Sequence, residues 1–162
     1  MCMWCDDPTM KPERYLAWLT AVIGEHGWAI QGIERERHRP PWAYTVGLSP
    51  HGKPELLVTG LPLRRAADLL NDVAEHVLHA DEPAPGEQVP LIGGPVVEYV
   101  RIAHPEVHLL RAVDLYGPSV RALQVVWADE RGNWPWHVGF RGERGGQPVL
   151  GPRGGSGPAP DD

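Results

Sequence analysis

The chain has 162 residues and a formal net charge of −6, from 15 Lys and Arg against 21 Asp and Glu. This length is typical of one domain, and a net-acidic chain lacks the basic surface that a non-specific nucleic-acid binder needs. No apolar run approaches the roughly 20 residues that span a bilayer, and the N-terminus has no apolar signal segment. We therefore expect a cytoplasmic protein with neither a nucleic-acid nor a membrane partner.

The first predicted elements follow a short N-terminal arm, residues 1–10, which contains a C-x-x-C motif. Apolar side chains from Tyr15 to Ile23 repeat at helical spacing, and Pro12 suits a first helical turn. Short distances between the next apolar runs favour antiparallel pairing. Three strands are predicted here, at residues 28–34, 42–48 and 54–60.

The second half of the chain starts with a helix predicted from Pro62 to about His79, where apolar residues again repeat at helical spacing. A long segment rich in Pro and Gly follows at 81–95, and its length is typical of a lid or binding loop. After Gly139 the composition changes, and we expect residues 152–162 to form a disordered Gly/Pro-rich tail. The remaining predicted elements are a strand at 96–103, a short helix at 105–115 and a strand at 119–128.

The order of these elements predicts the α+β fold class. We expect a single domain over residues 11–151, with a mainly antiparallel sheet. Two main helices and one short helix should pack on one face of that sheet.

The C-x-x-C motif of the arm consists of Cys2 and Cys5. Two thiolates at this spacing can share a tetrahedral metal ion, or they can form a reactive disulfide. The chain has no other Cys, so further ligands for zinc or iron would have to be His, Asp or Glu. His104 and His108, four residues apart, are the candidates, although Pro105 should begin a helix and leave His104 as its cap. The alternative is a pair of inert thiols.

A ligand site is predicted where aromatic and titratable residues fall near turns: the YTVGL hairpin, the 81–95 loop and the WPW segment. The alternative is that the Trp side chains fill the core, since the chain has seven Trp and one Phe. The candidate ligand-binding residues are Tyr44, His51, Glu55, Trp134 and Trp136.

No complete catalytic motif is present: the chain has no G-x-S-x-G and no Walker-type phosphate loop. The sequence therefore favours a module that binds a small molecule or a protein. The alternatives are a metal-binding protein or metalloenzyme that uses zinc or iron, and a thiol redox protein.

Several motifs occur in a fixed order along the chain: C-x-x-C-D, HGW, YTVGL, PELLVTGLP, LLN, YG, ALQVVWAD, G-x-W-P-W and QPVLG. In this set the chain resembles the bacterial domain-of-unknown-function family 4262, from about Cys2 to Gly151. The resemblance implies a single cytoplasmic domain. It implies no particular activity, cofactor or catalytic residue.

Overall fold

Residues 9–153 are described by a computed structural model, and within this range they form a six-stranded sheet. The strands are β1 (Ala29–Ile33), β2 (Trp42–Val46), β3 (Glu55–Thr59), β4 (Gln88–Pro90), β5 (Val96–Arg101) and β6 (Ala122–Trp127). The helices are α1 (Pro12–His26), α2 (Leu63–His79), α3 (Pro105–His108) and α4 (Leu110–Tyr116), with a short 3-10 turn at Ser49–His51.

The strands lie in the order β1-β2-β3-β6-β5-β4. Every pair is antiparallel except β3 and β6, which run parallel. The prediction of an α+β domain with a mainly antiparallel sheet is confirmed. No helix among residues 9–153 is long and apolar enough to cross a membrane.

The end of α1 shows how the local sequence sets the fold. Pro12 lies in the first turn as predicted, and Gly27, at φ 93°, donates its N–H to the Ile23 carbonyl at 2.8 Å to close the helix. Gly47 of the YTVGL motif passes close to this turn, at φ 132°. A Cβ on Gly47 would lie 2.8 Å from both the Gly27 carbonyl oxygen and the Trp28 Cα. The glycine is therefore required for the contact between the α1–β1 turn and β2.

Helices cover both faces of the sheet, so the prediction that they pack on one face was wrong. Successive side chains of a strand point to opposite faces. Ala43 of β2 packs in the cluster that contains Leu70 and Val73 of α2. Its neighbour Tyr44 packs in the other cluster, with Tyr15 of α1.

The two halves of the sheet are covered differently. In the helix-covered half, β1–β3, α2 packs on all three strands, while α1 packs on β1 and α4 on β2. In the loop-covered half, β6–β5–β4, much of the cover comes from the segment after β6. On the α2 face the rings of Trp127 and Phe140 lie 5.3 Å apart. On the other face Trp134 packs against Val100 and Val126.

Candidate functional site

Glu55, a predicted ligand-binding residue, is fully buried at the start of β3. One carboxylate oxygen accepts hydrogen bonds from the Thr45 hydroxyl and the Leu48 N–H, both at 3.0 Å. The other accepts from the Ser49 N–H at 2.8 Å, the Ser49 hydroxyl at 2.5 Å and the Gly47 N–H at 3.4 Å. One donor, Thr45, lies in β2, and the others lie in the turn that follows β2. The carboxylate therefore links this turn to β3.

Tyr44, His51 and Glu55 do not line the two cavities described below. Tyr44 is buried, and its hydroxyl accepts the Arg111 N–H at 3.0 Å. Burial raises the pKa of Tyr44 well above its ordinary value, so the phenol stays neutral. His51 is exposed on the 3-10 turn. A ligand-binding role for these residues stays a prediction.

Trp134 and Trp136 stack on each other, with ring centroids 5.3 Å apart and planes 7° apart. Trp134 is buried against the sheet, as the core-packing alternative expects, whereas Trp136 is half-buried. The Arg153 guanidinium lies over the Trp136 ring, 3.7 Å from its centroid. The same guanidinium makes two contacts of 3.1 Å with the Glu98 carboxylate.

Glu98 is a buried carboxylate that the sequence analysis missed. Its side chain is 3% exposed and also accepts a hydrogen bond from the Gln88 amide at 2.9 Å. Burial raises the pKa of this carboxyl, but the hydrogen bonds from Arg153 and Gln88 outweigh burial, and the net pKa lies below its ordinary value. One signal was present in the sequence: a charged residue stands between Val97 and Tyr99 in an apolar strand.

The main candidate site is a cleft of about 900 Å³ on the α2 face, which we call the α2 cleft. It lies between the first half of α2, the turn from β4 to β5 and the segment 127–143. This volume lies within the roughly 300–1,000 Å³ of most small-molecule sites. Its apolar lining consists mainly of Leu61, Leu69, Leu91, Val96 and Trp127, and its charged rim consists of Arg65, Asp68, Asp72, Asp129, Glu130, Arg131, Arg141 and Glu143.

Asp129 shapes one wall of the α2 cleft. One of its carboxylate oxygens accepts the N–H groups of Arg131 at 2.9 Å and Asn133 at 2.8 Å, and the other accepts the N–H of Arg141 at 2.8 Å. Desolvation raises the pKa of Asp129, but these backbone donors outweigh desolvation and leave the pKa below its ordinary value. The charged carboxylate thereby fixes the backbone that carries two rim arginines.

Three rim guanidiniums lack a partner in the part of the chain that the structure describes. Within residues 9–153, the side chains of Arg65, Arg131 and Arg141 form neither an ion pair nor a hydrogen bond. By contrast, Arg121 and Arg153, which do not line this cleft, each bind a carboxylate. These three guanidiniums stand among five carboxylates at the same rim, so the α2 cleft carries both signs of charge.

A second, smaller cavity of about 400 Å³ lies where β5 ends and β6 begins. Its lining includes Pro54, residues 82–85 and Arg121, whose guanidinium contacts Glu82 at 2.5 Å and the Gly52 carbonyl at 2.9 Å. The loop predicted at 81–95 thus contributes its first part to this cavity and its last part to the α2 cleft. The sequence predicted one ligand site at this loop, whereas in the structure the loop borders two separate cavities.

The candidate metal ligands His104 and His108 lie in the described part of the chain, at the start and the end of the α3 segment. His104 caps α3 as expected, in the left-handed region at φ 56°, and its Nδ1 lies 3.3 Å from the Glu106 carboxylate. Burial lowers the pKa of His108, which favours the neutral imidazole. Among residues 9–153 no three His, Cys, Asp or Glu side chains cluster as metal ligands do. Cys2 and Cys5 lie outside the described residues, so their metal and redox hypotheses stay predictions.

Together the fold and the α2 cleft define a small α+β domain with a ligand-sized cleft beside the helix α2. The family model for the domain of unknown function DUF4262 matches residues 22–141, and the chain belongs to this family. Searches of the curated proteins and of the solved structures found no match.

The motifs that carry the family resemblance contact one another. The Trp28 indole of HGW donates to the Asn71 side chain of LLN at 3.0 Å. The Gln147 amide of QPVLG exchanges two hydrogen bonds of 2.9 Å with the backbone of Trp127. Glu55 of PELLVTGLP binds the YTVGL turn. Many motif residues therefore hold the fold together, while WAD and G-x-W-P-W also border the candidate sites.

Proposed function

We propose that this domain is a binding module whose ligand occupies the α2 cleft. The observation that carries the proposal is a cleft of about 900 Å³ with an apolar floor and three rim guanidiniums that have no hydrogen-bond or ion-pair partner among residues 9–153. Apolar surface supplies most of the binding free energy in such sites, and a few polar groups orient the ligand.

The rim favours a ligand that carries both signs of charge. Arg65, Arg131 and Arg141 can bind an acidic group, and Arg prefers planar carboxylates because its donors match both oxygens. Asp68 and Asp72 stand on α2 at the same rim and can bind a basic group. A compact organic molecule with an apolar body, a carboxylate and an amine fits this distribution best.

Binding is favoured over catalysis by the residue types in the cleft. Its described lining supplies apolar surface, carboxylates and guanidiniums, and it includes no Ser, Cys or His side chain that could act as a nucleophile–base pair. Asp129, which borders the cleft, already accepts three backbone hydrogen bonds. The charged groups therefore serve recognition.

The test uses ε-dansyl-lysine, a fluorescent molecule with an aromatic body, a carboxylate and an ammonium group. Val96 lines the cleft and is 39% exposed, so Val96→Arg should fill the cleft without unfolding the protein. Val107, 62% exposed on α3, is the matched control. We expect saturable fluorescence enhancement with the wild type and Val107→Arg, and binding weaker by about ten-fold with Val96→Arg.

Two results would contradict the proposal. The first is equal affinity of Val96→Arg and Val107→Arg for the probe, which would place binding elsewhere. The second is an absence of saturable binding to the wild type. Circular dichroism and melting temperatures of both variants exclude unfolding as the cause.

The thiol pair has its own test. Protein purified under reducing, chelator-free conditions is analysed for zinc and iron beside a Cys2→Ser, Cys5→Ser double variant. Near one equivalent of metal that is lost in the variant would support a metal site at Cys2 and Cys5. Metal-free protein in both samples would remove the metal hypothesis and leave the binding module, with inert thiols, or the thiol redox protein.

A further inference from the structure

The Glu98 carboxylate is the best-defined buried charge in the loop-covered half. It lies in β5, is almost inaccessible to solvent, and has Gln88 of β4 on one side. The stacked rings of Trp136 and Trp134 border the same place through Arg153. These four residues form a carboxylate, an amide and an aromatic face around one guanidinium.

This combination has the chemistry of a guanidinium receptor. A buried carboxylate is costly unless a cation pairs with it. A guanidinium matches the carboxylate with two parallel hydrogen bonds and can also stack on an indole. Arg153 makes both contacts at once: two distances of 3.1 Å to Glu98, and 3.7 Å to the Trp136 centroid.

Arg153 and the residues that bind it belong to different kinds of structure. Gln88 and Glu98 belong to paired strands, whereas Arg153 follows Gly151 and Pro152 outside any helix or strand. The sequence after it, GGSGPAPDD, contains no other Lys or Arg. The family match covers the four receptor residues and ends at position 141, before Arg153. The receptor is thus part of the domain, and its occupant is a side chain near the chain's end.

We propose that Gln88, Glu98, Trp134 and Trp136 form a guanidinium-binding site, which Arg153 occupies as an internal ligand and which accepts an external guanidinium when Arg153 withdraws. The external group would be an arginine side chain of a polypeptide or a free guanidinium compound. The proposal does not depend on the α2 cleft.

The chain segment that holds Arg153 sets the outcome of its competition with an external guanidinium. A side chain held by a short chain segment has an effective concentration in the millimolar range, so it excludes external ligands of similar affinity. The wild type should therefore bind a small guanidinium weakly. Removal of the Arg153 side chain leaves the Glu98 carboxylate without its counter-charge and opens the site.

The experiment compares full-length wild type, Arg153→Ala and a control, Arg144→Ala. Arg144 is also an exposed arginine near the chain's end, but its side chain has no contact with Glu98. The probes are methylguanidinium and N-methylurea, which is similar in shape but uncharged. Binding is followed by the Trp indole N–H signals in NMR.

We expect saturable indole shifts with methylguanidinium in Arg153→Ala, about ten-fold tighter than in the wild type or Arg144→Ala. N-methylurea should give no saturable shift, and adding Glu98→Gln to Arg153→Ala should abolish the response. Equal responses of wild type and Arg153→Ala, or equal responses to the two probes, would overturn the proposal.

A second variant covers the case in which Arg153→Ala does not fold. Arg153→Lys keeps the positive charge but loses the paired hydrogen bonds, so methylguanidinium should displace it more readily than it displaces the native side chain. No displacement from Arg153→Lys would then refute the site.

A peptide arm distinguishes the two sources of guanidinium. The peptide acetyl-Gly-Pro-Arg-Gly-Gly-amide is compared with its citrulline version. Tighter binding of the arginine peptide than of methylguanidinium would support a polypeptide ligand. Equal affinities would support a free guanidinium compound, and equal binding of both peptides would contradict a charge-selective site.

Discussion

The two halves of the sheet each contain a buried carboxylate, and the two are satisfied in different ways. In the helix-covered half, Glu55 accepts hydrogen bonds from groups within ten residues along the chain. In the loop-covered half, Glu98 pairs with Arg153, 55 residues away and near the end of the described chain. A ligand cannot replace the donors of Glu55, which belong to the adjoining turn and strand. A ligand can replace a distant side chain such as Arg153.

The cover of each half explains this difference. Helices α1, α2 and α4 close the first half on both faces, and their side chains fill the space above the strands. In the second half, α2 shares a core cluster with β5 and β6 on one face, and a segment without regular structure supplies much of the remaining cover and borders the α2 cleft. Loops vary and move more readily than packed elements, and they carry binding sites for that reason. We therefore regard the first half as scaffold and the second as the binding half.

The largest expected effect comes from breaking the scaffold at Glu55. Glu55→Ala leaves the buried N–H groups of Leu48 and Ser49 without an acceptor, so the free energy of unfolding should fall by about 3–5 kcal/mol. Glu25→Ala, at an exposed position on α1, should change it by less than about 0.5 kcal/mol. Urea denaturation measures both free energies. A loss below about 1 kcal/mol for Glu55→Ala would show that the hydrogen bonds to Glu55 are not needed for stability.

Two glycine substitutions should act with opposite signs. Gly47→Ala places a Cβ 2.8 Å from backbone atoms at φ 132°, and should cost about 2 kcal/mol or more. Gly24→Ala lies in α1 with no atom within 4 Å of the new Cβ, and should stabilise the protein by about 0.5–1 kcal/mol. Thermal and urea unfolding give both values. Destabilisation by both substitutions would contradict this reading of the α1–β1 turn.

Loss of the partner of the buried carboxylate should destabilise the binding half less than it destabilises the scaffold, and Arg153→Ala tests this expectation. The substitution removes two charge-assisted hydrogen bonds from Glu98, but Arg153 is 39% exposed, so we expect a loss of about 1–2 kcal/mol. This is smaller than the loss expected for Glu55→Ala. Equal losses in urea denaturation would remove the distinction between the two carboxylates.

The Glu98 pair also predicts a pH dependence. The pKa of Glu98 in the folded state lies below its ordinary value of 4.5, so its pair stabilises the fold above about pH 4.5 and loses this contribution as the pH falls through the folded-state pKa. The stability gap between wild type and Glu98→Gln should therefore narrow from about pH 7 to about pH 3. A gap that is constant across this range would contradict the charged pair.

The smallest effect on stability is expected at the rim of the α2 cleft. Arg65→Glu reverses a charge at the cleft and should weaken ε-dansyl-lysine binding by about five-fold, while the free energy of unfolding changes by less than about 0.5 kcal/mol. Arg64, its exposed neighbour on α2, does not line the cleft and is the control. Equal effects of Arg65→Glu and Arg64→Glu on affinity would indicate a non-specific charge effect.

The regular elements of the scaffold could be predicted from the sequence because their signals are local. The 3.6-residue spacing located α1, and the predicted range of α2, Pro62 to about His79, differs from the observed Leu63–His79 by one residue at its start. The run at 42–48 contains β2, and the run at 54–60 contains β3. In these cases each residue's environment depends on neighbours a few positions away.

The features missed in the sequence depend on distant partners. The strand β4 has three residues, ends in a proline and pairs only with β5, so it leaves no alternating pattern in the 81–95 segment. The parallel pairing of β3 with β6 joins strands that are separated in the chain by α2, β4, β5, α3 and α4.

The candidate sites were predicted only in part for the same reason. The WPW segment and the 81–95 loop do border candidate sites. Glu98 and Arg153 could not be selected from the sequence, because their role depends on the contact between them. Tyr44 and Glu55 were selected as polar residues near turns, and the structure shows that both bind the protein's own backbone. A polar residue in a motif indicates a hydrogen bond, and its partner is decided by the tertiary fold.

The most direct test of the division into scaffold and binding half is a residue-resolved NMR titration of the wild type with ε-dansyl-lysine. We predict amide shifts concentrated at residues 61–72, 91–96 and 127–143, with the β1–β3 strands unchanged away from α2. Shifts concentrated at residues 44–55 instead would place the ligand at the YTVGL hairpin and contradict the account.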